Sequence, residues 1–283
     1  MTKRSLKRII PGRASSDGAG VSLTRSLGST DNSRQDPFLM LDEFGSDKAQ
    51  DYIAGFPSHP HRGFETVTYM LDGEMLHEDH MGNKGRLGPG GVQWMTAGRG
   101  IIHSEMPQQE DGLMRGFQLW INLPASKKMC DPTYREFAAD EIPQVGLTGN
   151  GWIKVIAGKV THSGQVTEGP VRGVATDPVY LDIALDQGQQ LALPLPGGHN
   201  ALIYVYQGNV MVDGQSLPSQ HAGLLSDGDE VTLETGVTQS ARLLLMAARP
   251  IGEPIVQHGP FVMNTYDEIR QAIRDFQSGR LTG

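Results

Sequence analysis

Short β-branched and aromatic runs, each cut off by glycine or proline, recur along the whole chain. FETVTYML (64–71) ends at the Asp72-Gly73 turn pair, and EMLHEDH resumes behind it. GWIKVIAG (151–158), PVYLDIAL (178–185), ALIYVYQGNVMV (201–212) and ARLLLMAA (241–248) repeat the pattern. Such runs are too short for long helices and have the residue types of pleated, half-buried strands. With 36 Gly and 17 Pro among 283 residues, turns are available wherever a strand must reverse. The reading is all-β, as sandwiches or barrels. The length is ample for two domains of ordinary size.

A faint internal repeat points the same way. Displacing the chain by 135 residues lays Gly63 on Gly198, Tyr69 on Tyr204 and Gly73 on Gly208. VTYMLDGEM then matches LIYVYQGNV as strand, tight turn, strand. At that offset His59 and His61 fall on Pro194 and Pro196; at an offset of 138, His103 and Glu105 fall on Ala241 and Leu243. The second copy is therefore expected to lack the first copy's chemistry and to serve as scaffold.

One segment at the C-terminus departs from the strand pattern. In TYDEIRQAIRDF, Thr265 and Glu268 have the spacing of a capping box, and Ile269, Ile273 and Phe276 recur at helical spacing. A helix over 265–277 is expected, stopped by Ser278-Gly279.

Composition removes several classes of function. Net charge is −8, and no extended basic block follows the locally basic MTKRSLKRII, which reads as the solvated face of a first strand. Direct nucleic-acid binding needs clustered cations to displace counterions, so none is expected. No run approaches the ~20 apolar residues of a membrane helix. Cys130 is the sole cysteine, which rules out an internal disulfide and thiolate metal clusters and suits a reducing compartment. A cytoplasmic location is expected, or a nuclear one in a eukaryote. A redox-sensing Cys130 is the alternative to an incidental thiol.

The chemistry concentrates in GFPSHPHRGFET (55–66) and GIIHSE (100–105). His59 and His61 are one residue apart, as are His103 and Glu105, so each pair shares one face of an extended strand. Pro60 favours extension of His59. Two such strands facing each other would bring three imidazoles and a carboxylate to one point, a sulfur-free donor set suited to iron, manganese, nickel, copper or zinc. Each pair alone is also compatible with an exposed strand or a surface turn. His77, His80, His162, His199, His221 and His258 read as solvated or hydrogen-bonded side chains.

Those residues carry a family resemblance. His59, His61 and Glu65 form HxHxxxE, which resembles the first cupin motif; PGG followed by AGRGIIHSE resembles a modified second one. DPFLMLDEFG (36–45), the segment 56–107, QLWINLPASKKMCDPTY (118–134) and GEPIVQHGPFVMNTYDEIRQAIRDFQSGR (252–280) resemble the signatures of pirins, a bicupin family. The resemblance implies two tandem cupin-type β-barrels with a C-terminal α-helix: a metal-binding barrel over 1–135 and a barrel without ligands over 136–283. It implies a divalent metal, usually iron, held by His59, His61, His103 and Glu105. Glu65 remains a rival ligand or a neighbour of the ligands. The implied activity is a quercetin 2,3-dioxygenase-like reaction on a flat polyphenol and O2, with Glu105 as general base. Phe56, Phe64, Trp94 and Met95 would either line the pocket or belong to the core. The alternative is an iron-dependent regulator acting through a protein partner. A purely structural metal is a third possibility.

Overall fold

The computed structural model describes residues 2–30 and 33–283. Strands dominate, and the chain divides into two compact units, each built from two large sheets and a two-stranded ribbon. The expected strands are present. ALIYVYQGNVMV is split by Gly208 into Asn200–Gln207 and Asn209–Val212, and ARLLLMAA is one strand, Ala241–Ala248.

The first barrel has a seven-stranded sheet in the order Thr133–Phe137, Val92–Thr96, Phe64–Asp72, Met114–Asn122, Phe38–Ser46, Val21–Leu27, Arg13–Asp17. Its second sheet runs Phe56–His61, Ile101–Pro107, Met75–Asp79, Lys84–Leu87. Alternation is kept on the strands that matter: His103 and Glu105 are buried, while Ile102, Ser104 and Met106 are only half-buried. Val21, Phe44, Tyr52, Met70, Met75 and Met114 form one apolar cluster inside this unit. Full burial of each such side chain contributes about 1.5–3 kcal/mol.

The second barrel repeats the plan. Its smaller sheet is ordered Gln190–Pro194, Glu230–Glu234, Asn209–Val212, Gln215–Pro218, the same succession as in the first. Ile153, Leu181, Ile183, Leu193, Ile203, Val205, Leu243 and Leu245 join one continuous aliphatic core. Side chains of that kind offer a metal nothing.

Two expectations are corrected by this topology. The counterpart of Ile101–Pro107 is Glu230–Glu234, not Ala241–Ala248, which takes the place of Met114–Asn122 in the larger sheet. The loops differ in length between the copies, so no single offset holds beyond the first hairpin. His59 pairs with His103 as Pro194 pairs with Glu230, so Glu230 stands where His103 does. The second copy still lacks the imidazoles.

The compact units also cut across the 1–135 and 136–283 division. Residues 1–13, 26–37 and 140–250 form one unit; 14–25, 38–139 and 251–283 form the other. The cause is strand exchange at the termini. Leu6–Pro11 pairs with His221–Leu225, and Lys3–Arg4 lies parallel to Glu230–Glu234. Arg4 is therefore buried rather than solvated, its guanidinium donating to the Ser226 and Pro196 carbonyls.

The C-terminal helix, Tyr266–Gln277, begins at the expected capping box: Thr265 accepts from the Glu268 amide, and the Glu268 carboxylate accepts from the Thr265 amide. Ile269 and Ala272 face inward with Phe261, Met263 and Leu281. Among the described residues no helix is long and apolar enough to cross a membrane.

Candidate metal centre

The two histidine-bearing strands are neighbours in the four-stranded sheet, with His59 directly opposite His103. His61 and His103 are buried, and His59 is half-buried, so the cluster opens on the His59 side. One nitrogen from each of the three rings lies within 4.8 Å of the other two, and no other such cluster exists among the described residues.

A local hydrogen bond decides which nitrogen His59 presents. His59 Nδ1–H donates to the Pro57 carbonyl at 2.8 Å, leaving the Nε2 lone pair free; that atom lies 3.0 Å from His61 Nε2. Burial, and secondarily the neighbouring imidazoles, drives His61 and His103 well below the usual imidazole range, so both rings are neutral. His103 Nε2 is buried without a hydrogen-bond partner. An orphaned ring nitrogen beside two convergent ones is costly unless an ion fills the gap. Two nitrogens each ~2.1 Å from one ion at right angles would stand about 3 Å apart, as His59 and His61 do. The donor set fits a divalent metal.

Glu105 is buried on the same strand face as His103 but does not join the three-nitrogen cluster. One carboxylate oxygen accepts from Thr68 Oγ1 at 2.8 Å and the other from Gln118 Nε2 at 3.1 Å. A carboxylate has about four lone-pair sites, so two remain for other partners.

Glu65 lies outside the three-nitrogen cluster. The chain turns at Gly63 (φ +90°), so His61 and Glu65 lie on different strands of different sheets instead of one extended run. Its Oε1 accepts from Thr96 Oγ1 at 2.7 Å, and burial pushes its pKa up. The same turn is clamped from outside. A side chain at Gly63 would strike the Val262 carbonyl. Lys128 Nζ bridges the Gly63 carbonyl (2.8 Å), the Val262 carbonyl (2.9 Å) and Asn122 Oδ1 (2.6 Å). Arg62 donates to the Arg99 and Leu281 carbonyls and pairs with Asp275 at 2.8 Å, tying both histidine-bearing segments to the C-terminal arm.

The four apolar candidates separate. Phe64 packs edge-on against His61, with ring centroids 5.1 Å apart, and is wholly buried in a core cluster with Leu39 and Val262. Met95 clusters with Ala97 and Ile101, Phe56 packs on Phe44, and Trp94 is wholly buried. Sequence reading missed Trp120, whose ring lies 5.3 Å from His61 and 4.3 Å from Phe64. It also missed Thr68, Gln118 and His77. Period-2 alternation along Met75–Asp79 was the available signal for His77, which is fully buried. Burial raises the Cys130 thiol pKa, which does not favour a reactive thiolate.

Paired barrels of one plan, with the three-imidazole cluster in the first, define a bicupin. Comparison with known proteins narrows the class. The Pirin family pattern matches residues 20–121 and the Pirin C-terminal cupin domain matches 180–282. A pirin-like protein of Caulobacter vibrioides is 51% identical over 280 residues, covering 99% of this chain and 100% of its own. Human pirin is 42% identical over 275 residues, covering 95% of this chain and 90% of its own. A crystal structure of quercetin 2,3-dioxygenase from Acinetobacter baumannii is 34% identical, with a TM-score of 0.89, covering 99% of this chain and 98% of that one. The chain belongs to the pirin family.

Proposed function

We propose that this protein is a metal-dependent dioxygenase that opens a flavonol such as quercetin with O2. Three imidazoles converging inside the first barrel, with Glu105 buried beside them, are the observation that carries this reading. Likeness to a solved chain described as quercetin 2,3-dioxygenase supports it. We take the metal to be Fe(II), with manganese, nickel, copper and zinc as alternatives, held by His59, His61, His103 and Glu105. When bound, it supplies Lewis acidity toward the flavonol oxygens and, as iron, redox access to dioxygen.

The chain's own residues do the rest. Glu105 accepts the proton of the flavonol 3-hydroxyl, its unused lone pairs free for that purpose while Thr68 and Gln118 fix its orientation. Loss of that proton makes the heterocycle an electron-rich enolate, which reacts with dioxygen, opens and releases carbon monoxide. The half-buried Trp120 offers flat apolar surface beside His61, suited to a planar polyphenol, with the buried Phe64 packed behind it. The half-buried His59 marks the side from which substrate enters.

The test is reconstitution with Fe(II) and with each alternative metal, followed by quercetin absorbance, oxygen uptake and carbon monoxide release. Turnover that vanishes in His59→Ala supports the reading. A fully loaded protein inert toward flavonols with every metal overturns it.

A further inference from the structure

Behind His103, on the side away from the other two imidazoles, lies a second chain of polar groups. Met75–Asp79 pairs with Ile101–Pro107, placing Asp79 opposite His103 and His77 opposite Glu105. His77 Nδ1 lies 3.4 Å from His103 Nδ1, and His77 Nε2 lies 3.4 Å from Asp79 Oδ2. The side chains of His77 and Asp79 are wholly buried. Asp79 is itself locked. Its Oδ1 accepts from the Met81 and Asn83 amides at 2.9 and 3.0 Å, and its Oδ2 from Asn83 Nδ2 at 2.8 Å. The His77 ring is stacked on Tyr134, with centroids 4.5 Å apart and planes 24° apart, which fixes its tilt.

The donors around Asp79 and the geometry of the two rings give the assignment for a neutral His77–His103 pair. Both Asp79 oxygens already accept from N–H groups, so His77 donates to Oδ2 through Nε2–H. Its Nδ1 is then a lone pair, and His103 must donate to it through Nδ1–H. A neutral imidazole with its proton on Nδ1 carries its lone pair on Nε2, the orphaned atom of the cluster. We infer that His77 is a positioning residue: backed by Asp79, it holds His103 in the tautomer and ring orientation that aim Nε2 at the point shared with His59 and His61. Polar partners behind a ligating histidine do this work in metal sites generally. His77 is not itself a donor to the cluster, because its near nitrogen faces His103 Nδ1 and not Nε2.

The inference rests on the metal reading above, and its test has one readout that needs no metal. In ¹⁵N imidazole spectra of the metal-free protein, His103 should show a protonated Nδ1 and a bare Nε2. Asp79→Asn should shift that balance, since an amide can donate to His77 Nε2 and so reverse the chain, as carboxamide replacement does in a catalytic triad. Metal affinity, measured by chelator competition with Fe(II) or Zn(II), should fall about 10–100-fold in His77→Phe, which keeps the stack on Tyr134 and removes both nitrogens. His77→Asn, which retains an acceptor near the Nδ1 position, should recover part of the loss. The melting temperature of each metal-free variant separates loss of the relay from loss of the fold. If His77→Phe does not fold, Asp79→Asn carries the test, because its remaining oxygen still accepts the turn amides. The inference is overturned if His103 carries its proton on Nε2 in the wild-type protein, or if the folded variants bind metal within twofold of it. Failure of the wild-type protein to bind any metal would instead remove the proposed function and leave the tautomer result standing.

Discussion

Glu105 is asked to do two things, and a single atom change can separate them. Glu105→Gln keeps the shape, keeps one oxygen for the Thr68 hydroxyl and removes the basic charge. General-base catalysis contributes about 10²–10⁴-fold, so kcat should fall by roughly that factor while the three imidazoles retain metal. Metal analysis alongside quercetin consumption checks both halves. Full activity with full metal would show that the flavonol proton goes elsewhere.

Lys128 is the other residue whose charge state matters. Its ammonium is buried, with three oxygens to receive its three protons. Burial lowers its pKa from 10.5 to about 8, with Glu253 and Glu268 opposing the shift. The unfolded chain therefore holds this proton over a pH range where the folded chain has released it. Folded stability must rise with pH from about 8 to 10.5, and the cost of burying the charge applies fully below 8. Lys128→Met leaves three oxygens unpaired and should lose about 3 kcal/mol or more at neutral pH. The gap between wild type and variant, followed by denaturant titration, should widen as pH climbs through that window.

At the scale of elements, the histidine-bearing strands and the C-terminal arm form one mechanical unit. Gly63 turns the chain between the two sheets, and Arg62, Lys128 and Val262 hold that turn. Gly63→Ala puts a Cβ into a positive-φ position and against the Val262 carbonyl. The strain should cost about 1–3 kcal/mol, and His61, two residues away, should be displaced with a measurable loss of metal affinity. Equilibrium unfolding and chelator competition on the same preparation would show whether the two effects travel together.

This hinge also explains where sequence reading stops. The two skip-one pairs were legible because strand alternation is local, but the strands that carry them are paired neighbours in one sheet and not strands facing each other across a barrel. The capping box at Thr265 and Glu268 was legible for the same reason. Glu65 was ambiguous because its relation to His61 depends on the φ of Gly63, which the residue type permits but does not dictate. His77 escaped because its meaning comes from a cross-strand register, Glu105 opposite His77, that no local pattern encodes. The strand exchange of Leu6–Pro11 is likewise a long-range pairing, and it moved the boundaries of both units.

At the scale of the molecule, the two barrels share a plan and differ in filling. The first encloses imidazoles and a carboxylate; the second encloses aliphatic side chains and puts Pro194 and Glu230 where His59 and His103 stand. A metal that binds only the folded first barrel must stabilise it by mass action, by about 2.7 kcal/mol when free metal is a hundred times its dissociation constant. The wild type and two variants make the argument quantitative. Wild-type protein should melt higher with Fe(II) or Zn(II) than without, by several degrees for a chain of this size. His103→Ala should melt near the metal-free wild type and lose the metal-dependent rise. Leu243→Ala, a truncation in the aliphatic core of the second barrel, should lower stability by about 2–5 kcal/mol in either condition. Its metal affinity should stay at the wild-type value, because that barrel contributes no donor. Calorimetry with and without metal on the three proteins decides it: a metal-dependent rise that survives His103→Ala would place the ion somewhere other than the three-histidine cluster.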